Sequence, residues 1–407
     1  MRARSGVCRA SPGGAATKPA AQEFATQAVV SLEDHGGTAE LAAANAELAR
    51  LDALAARPEA GPRAERAIEI AHRVGATEIE ADATITLALA RHSEDSPDWE
   101  TILRSAADLA VREGLDRVAE RAWQNLFALR WHHGADVATI RRIHNESLEQ
   151  LGRFGRRTES TIQRETFVAF HEGDWDRCLD VIARGRSATL WSTARDLTEA
   201  VIRAARHGPA QVGDVLEAAR RRGAAAQEVS DRATWLLSAG AAFVAGDLSS
   251  ALRGAEPAAE FLALGAFSSP HEAAAVAIVS AEQLGEDSAL ERWLRLAEAR
   301  YTGGVNRYEE ARAAFAEGIR ARRANDRGRA LERFGDAAER ADALMGIHLV
   351  ATLARLERAD ILVASGERDA ALGELEKATA FWRKAKAAFY LGRIAEWARE
   401  RGLDLVS

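Results

Sequence analysis

The sequence predicts an all-α fold, a right-handed superhelix of about nine antiparallel helical hairpins. Three observations predict it. A turn signature recurs along the chain, apolar residues follow helical spacing, and no segment shows the alternation of a strand. The turns fall near Gly61, Pro97, Gly134, Gly173, Gly208, Gly246, Gly285, Asn325 and Gly366, in steps of 36, 37, 39, 35, 38, 39, 40 and 41 residues. A period near 38 marks a stack of two-helix units, each of which buries its apolar face only against its neighbours. Leu349, Leu353, Leu356, Ala359 and Val363 illustrate the helical spacing, stepping by 4, 3, 3 and 4.

Taken in chain order, residues 1–21 carry Gly, Pro and Ala with Arg2, Arg4 and Arg9 but no apolar stretch. They read as a disordered tail and not as a signal peptide. Residues 22–37 read as a single helix, half of a truncated repeat, in which Ala20, Phe24 and Ala28 match the second helix of a hairpin. A chain that opens in mid-repeat is expected to be part of something larger, or to start on a capping helix. Residues 38–407 form the hairpin array.

Helix starts carry their usual marks. Ser269 caps, Pro270 takes the first helical position, and Glu272 is spaced to complete a capping box. Ser96–Pro97, Gly61–Pro62 and Gly208–Pro209 repeat the device at other joints, and Pro257 predicts a break within 249–264.

The repeat has a fixed internal register. Five residues after Gly173, Gly246, Asn325 and Gly366 stand Cys178, Ala251, Ala330 and Ala371, each followed by a large apolar residue. The small residue admits a close neighbouring helix, and the large ones fill the space between hairpins. Trp123-Gln-Asn-Leu126 and the Ala330-to-Phe334 spacing resemble the tetratricopeptide signature. That resemblance spans most of the chain from Thr38 onward and implies a protein-binding role. Residues 351–405, with Gly366-Glu-Arg-Asp-Ala-Ala-Leu and Trp397-Ala-Arg-Glu-Arg-Gly-Leu, resemble the C-terminal repeats of actinobacterial signalling ATPases of the LuxR-type or adenylate cyclase-associated kind. The resemblance implies a regulatory setting. The ATPase itself would lie elsewhere, encoded upstream, because no Gly-x4-Gly-Lys-Ser/Thr occurs in this chain.

Composition excludes several function classes. A net charge of −7 argues against a dedicated nucleic-acid binder, and runs such as Arg220–Arg222 read as a solvated helix face. No apolar run is long enough to span a membrane. Two cysteines, Cys8 and Cys178, make no disulfide framework and suggest the cytoplasm. His171–Glu172 and His271–Glu272 open like a zinc-protease motif but lack its second histidine. Cys178 reads as a buried packing residue, and Trp99, Trp123, Trp175 and Trp235 as helix wedges. No catalytic, metal or cofactor residue is assigned.

The candidate partner-binding residues are Trp131, His132 and His133, an aromatic beside two histidines at a turn. The expected function is a non-catalytic interaction and regulatory scaffold. Its concave groove, lined by the first helix of each hairpin, would hold a protein or peptide. A ligand-sensing regulator and an enzyme on a helical-repeat scaffold are the alternatives.

Overall fold

The structure is a computed structural model that describes residues 18–34, 36–55, 57–155, 159–185, 192–214, 216, 236–262, 269–300 and 306–404. Among these residues there are helices and turns and no strand. The fold is an all-α solenoid of helical hairpins. Arg220–Arg222, Trp235 and residues 1–17 of the expected tail lie outside the described residues.

The chain divides into two compact units. The first holds residues 18–130 and 140–161; the second holds 131–139 and the described residues from 162 onward. The helices begin with α1 (Lys18–Glu33), α2 (Ala39–Leu54), α3 (Ala60–Val74), α4 (Thr77–Ser93) and α5 (Trp99–Arg112). They continue through α6 (Asp116–His132), α7 (Val137–Gly152), α8 (Glu159–His171), α9 (Trp175–Arg184) and α10 (Ser192–His207). Next come α11 (Leu237–Val244), α12 (Leu248–Ala255), α13 (Ala258–Leu262), α14 (Ser269–Leu284) and α15 (Asp287–Glu298). The last five are α16 (Arg307–Arg323), α17 (Arg327–Asp342), α18 (His348–Ala364), α19 (Arg368–Lys384) and α20 (Ala388–Glu400).

The recurring turns join first helices to second helices. Gly134, Gly173, Gly208, Gly246, Gly285, Asn325 and Gly366 all adopt positive φ, as a helix stop requires. Asp174, Asp247 and Asp326 follow three of them. Each side chain accepts a hydrogen bond from the backbone N–H three residues on, so one residue pair ends a helix and starts the next. The small residues five past the turn, Cys178, Ala251, Ala330 and Ala371, are fully buried. The Phe334 ring lies so close to Gly318 of α16 that a Cβ there would meet it at 2.6 Å. The break at Pro257 separates α12 from α13. Trp99, Trp123 and Trp175 are buried wedges.

Three details differ from the sequence reading. Gly61 lies inside α3, because that helix already begins at Ala60. Helix α1 begins at Lys18, earlier than residue 22, and its register is shifted. Gly36, Gly75 and Gly114, at steps of 39 residues, follow α1, α3 and α5 with φ of 77°, 68° and 73°. Counted back from these stops, Ala21, Ala25 and Ala28 of α1 match Ala60, Ala64 and Ala67 of α3. The spacing Ala20–Phe24–Ala28 looks right only because alanine recurs on both sides. Third, Glu272 makes its hydrogen bond outside its own helix, accepting from the Leu349 N–H at 2.8 Å.

In the second unit the first helices are wrapped by their own chain. Residues 273–281 of α14 are all buried, and so are residues 238–244 of α11. A helix covered on every side belongs to a core. The covering comes from sequence-distant hairpins. Arg307 donates to the Gly134 carbonyl at 2.6 Å, Arg206 to the Ala385 carbonyl at 3.0 Å, and Arg393 to the Phe243 carbonyl at 2.6 Å. A Cβ at Gly208 would stand 2.7 Å from the Phe389 ring. In this unit α18 packs on α14 and α20 on α10, so these first helices are covered by the unit's own chain.

Candidate interaction surfaces

Trp131, His132 and His133 sit where α6 ends in the Gly134 turn. Trp131 points inward instead of standing exposed. Its ring meets Phe167 edge-on at 4.3 Å, and its carbonyl accepts from the Tyr308 hydroxyl at 3.1 Å. The indole N–H is buried without a hydrogen-bond partner. His132 is half-buried with its ring 5.3 Å from Trp131, and His133 is exposed. The turn brings the three together, and of them only His133 is exposed.

The Trp131 side leads into an aromatic cluster that the sequence reading missed. His171 of α8 lies 5.5 Å from His348 of α18, and His348 stacks on Phe381 of α19 at 3.8 Å. Trp175 and Trp382 stand at 6.0 Å and complete the packing. Burial, then the neighbouring His348, holds the His171 imidazole well below its ordinary value. Burial also pulls His348 down to about 4. Both rings are thus neutral near pH 7 and serve as packing. Nothing in the local sequence of His171 points to a partner 177 residues away.

Other reactive-looking groups are also accounted for structurally. Arg312 is fully buried and donates to the carbonyls of Ala297 at 2.9 Å and Ala299 at 2.5 Å, at the end of α15. His271 stacks on Tyr308. Glu272 supplies the start of α18, which has no side-chain cap of its own, and burial pushes its carboxyl up to about 7. The Cys178 thiol donates to the Thr166 carbonyl at 3.5 Å, and burial raises it to about 12. Among the described residues, no three His, Cys, Asp or Glu side chains form a metal-ligand set. No helix among them is long and apolar enough to cross a membrane.

The first unit offers a different kind of surface. A cavity of about 560 Å³ opens between α1, α2 and the start of α3. Val29, Val30, Leu48, Pro58 and Pro62 make it largely apolar, and Arg66 lies at its rim. A second cavity of about 680 Å³ adjoins it through Thr26, Glu59 and Arg63. Buried Asp52 braces the wall. It accepts from Gln22 at 2.7 Å, from Arg57 at 3.3 Å and from Arg63. On α1 itself, Phe24 is 72% exposed and Val30 62%. The 39-residue register contained a signal for this: Val30 holds the position of exposed Glu69 in α3 and exposed Asp108 in α5.

No protein-family model and no curated protein sequence matches the chain. Among solved structures, it is similar to the crystal structure of the APC/C hetero-tetramer Cut9-Hcn1. The two are 10% identical over 96% of this chain and 91% of that chain, with a TM-score of 0.32.

Proposed function

We propose that this protein is a non-catalytic interaction scaffold whose partner seat lies in the first unit. The observation that carries the reading is the contrast between the units. The second fills its inner helices with its own chain, while the first keeps an open, largely apolar cavity beside an exposed Val30. An apolar recess rimmed by charge suits a protein or peptide partner. The resemblance of residues 351–405 to signalling-ATPase repeats supports a regulatory setting, with an ATPase module encoded upstream as the partner to try first. Exposed His133 at the Gly134 turn, with half-buried His132 beside it, is a secondary contact in this reading.

The test compares the full chain with a Val30→Glu, Arg66→Glu variant as bait in the native cytoplasm. Both positions are exposed, so the fold is retained. A stoichiometric partner recovered by the wild type and lost by the variant supports the scaffold. The same recovered set for both baits overturns the placement of the seat.

A further inference from the structure

Connections between helices run over the surface, where water satisfies their backbone groups. The one that joins α17 to α18 does not. Leu344, Met345, Gly346 and Ile347 are all buried, whereas Gly285, Asn325 and Gly366 stand exposed at their turns. Elements from across the second unit hold this segment. A Cβ at Gly134 would stand 2.8 Å from Leu344. The Met345 carbonyl accepts from the Tyr308 hydroxyl of α16 at 2.9 Å. His348 stacks on Phe381 of α19 and lies beside His171 of α8. A Cβ at Gly240 of α11 would meet Leu349 at 3.4 Å. The Leu349 N–H donates to Glu272 of α14 at 2.8 Å.

A buried connection is only as secure as the partners of its polar groups. Two side chains from other helices serve this one, and they differ in kind. Burial holds the Tyr308 phenol well above its ordinary range, so it keeps its proton. Burial raises the Glu272 carboxyl to about 7, so it changes charge close to neutrality.

The surroundings of Glu272 are poorly suited to a negative charge. On α18 it meets the turn that carries His348, whose ring burial keeps neutral. On α20 it faces the Tyr390 phenol, and Arg393 beside that phenol already donates to the Phe243 carbonyl. On α16, Tyr308 and Arg312 meet the adjoining His271, and Glu309 is buried in the same turn. Helix α11 carries no ionisable side chain. The charged residues of α12, α13 and α15 are exposed or, as Glu291 and Glu298 are, paired with Arg320.

We propose that residues 344–349 are a proton-gated plug in the second unit, seated while Glu272 holds its proton and released together when it ionises. With the proton in place, the carboxyl accepts from Leu349 and brings no charge among apolar side chains. Without it, a charge is buried for the sake of a single hydrogen bond. The seated state is fully favoured below pH 4.5 and loses that advantage as pH rises through about 7. The plug also holds the Gly134 turn. Leu344 packs on that glycine, and Tyr308 shares its hydroxyl between the Met345 and Trp131 carbonyls. Release therefore frees the turn that bears Trp131, His132 and His133.

Hydrogen exchange of the full chain, read peptide by peptide by mass spectrometry and corrected for intrinsic exchange at each pH, tests the plug. Between pH 6 and pH 8, protection across residues 344–352 should fall about tenfold, as a carboxyl titrating near 7 requires. Protection of residues 273–281 and 311–319 should hold. Glu272→Gln should abolish the fall. Glu357 of α18 titrates in the same window, so Glu357→Gln is the control and should retain it. Circular dichroism checks that both variants fold, and the wild-type regional pattern decides without either.

Unchanged protection across 344–352 overturns the proposal. So does an equal fall throughout α8 to α20, which is global destabilisation and not a plug. A fall that survives Glu272→Gln, or that Glu357→Gln removes, overturns it as well.

Discussion

Glu272→Gln should stabilise the protein strongly at pH 8 and only slightly at pH 5. Glu272 Oε1 accepts from the Leu349 N–H, and burial raises its carboxyl from an ordinary 4.5 to about 7. The folded state therefore prefers the protonated acid. An acid raised in this way gives its full stability below pH 4.5, and that contribution is lost as pH rises through about 7. At about 1.4 kcal/mol per pH unit, the interval from 4.5 to about 7 amounts to roughly 3 kcal/mol. Glutamine keeps the acceptor for Leu349 and never ionises, so it escapes the loss.

Glu357 is also raised to about 7 by burial and titrates in the same window, so wild-type behaviour alone is ambiguous. The difference between wild type and Glu272→Gln cancels that contribution. Urea unfolding followed by tryptophan fluorescence at several values from pH 5 to 8 supplies the difference. It should grow from about 1 kcal/mol or less at pH 5 to at most about 3 kcal/mol at pH 8. A difference independent of pH, or a wild type more stable than the variant at pH 8, would refute the reasoning.

Other expectations follow from single contacts. Gly318→Ala gains about 1 kcal/mol of helix propensity but forces a Cβ to 2.6 Å from the buried Phe334 ring. It should destabilise by about 1–2 kcal/mol net, and Phe334→Leu in the same chain should recover part of the loss in thermal unfolding. Asp247→Ala and Asp326→Ala should each cost about 1 kcal/mol by removing a helix cap, and unchanged denaturation midpoints would show the caps to be idle. In a Cys8→Ser background, Cys178 should resist a thiol reagent at pH 8 until urea unfolds the chain, because burial raises its thiol to about 12; rapid labelling of the native protein would contradict that.

Most of the fold is legible in the sequence because its turns make unusual demands on the backbone. A positive φ selects glycine or asparagine, so Gly134, Gly173, Asn325 and Gly366 announce themselves. Asp95 and Lys386 meet the same demand with unremarkable residues and cannot be found that way. Local spacing also misleads when a side chain serves a distant element. Glu272 has the spacing of a capping box but caps a helix that starts 76 residues later, at His348. Trp131 reads as an outward aromatic because its neighbours are polar, yet Phe167 and Tyr308 draw it in. The α1 surface was harder still. Val30 is an ordinary helix residue until the 39-residue register sets it beside exposed Glu69 and Asp108.

The ties within the second unit carry a consequence for synthesis. Lys386 pairs with Asp176, 210 residues earlier in the chain, and Arg206 waits for the Ala385 carbonyl. At about 5–20 residues per second, a ribosome needs roughly 10–40 s to make that stretch. The hairpins around Asp176 leave the exit tunnel without the segments that cover them. Helices α1 to α5 of the first unit pack instead on neighbours made moments before. Two timescales of maturation are therefore built into one polypeptide, and the later half is the one that needs shelter from aggregation while it waits.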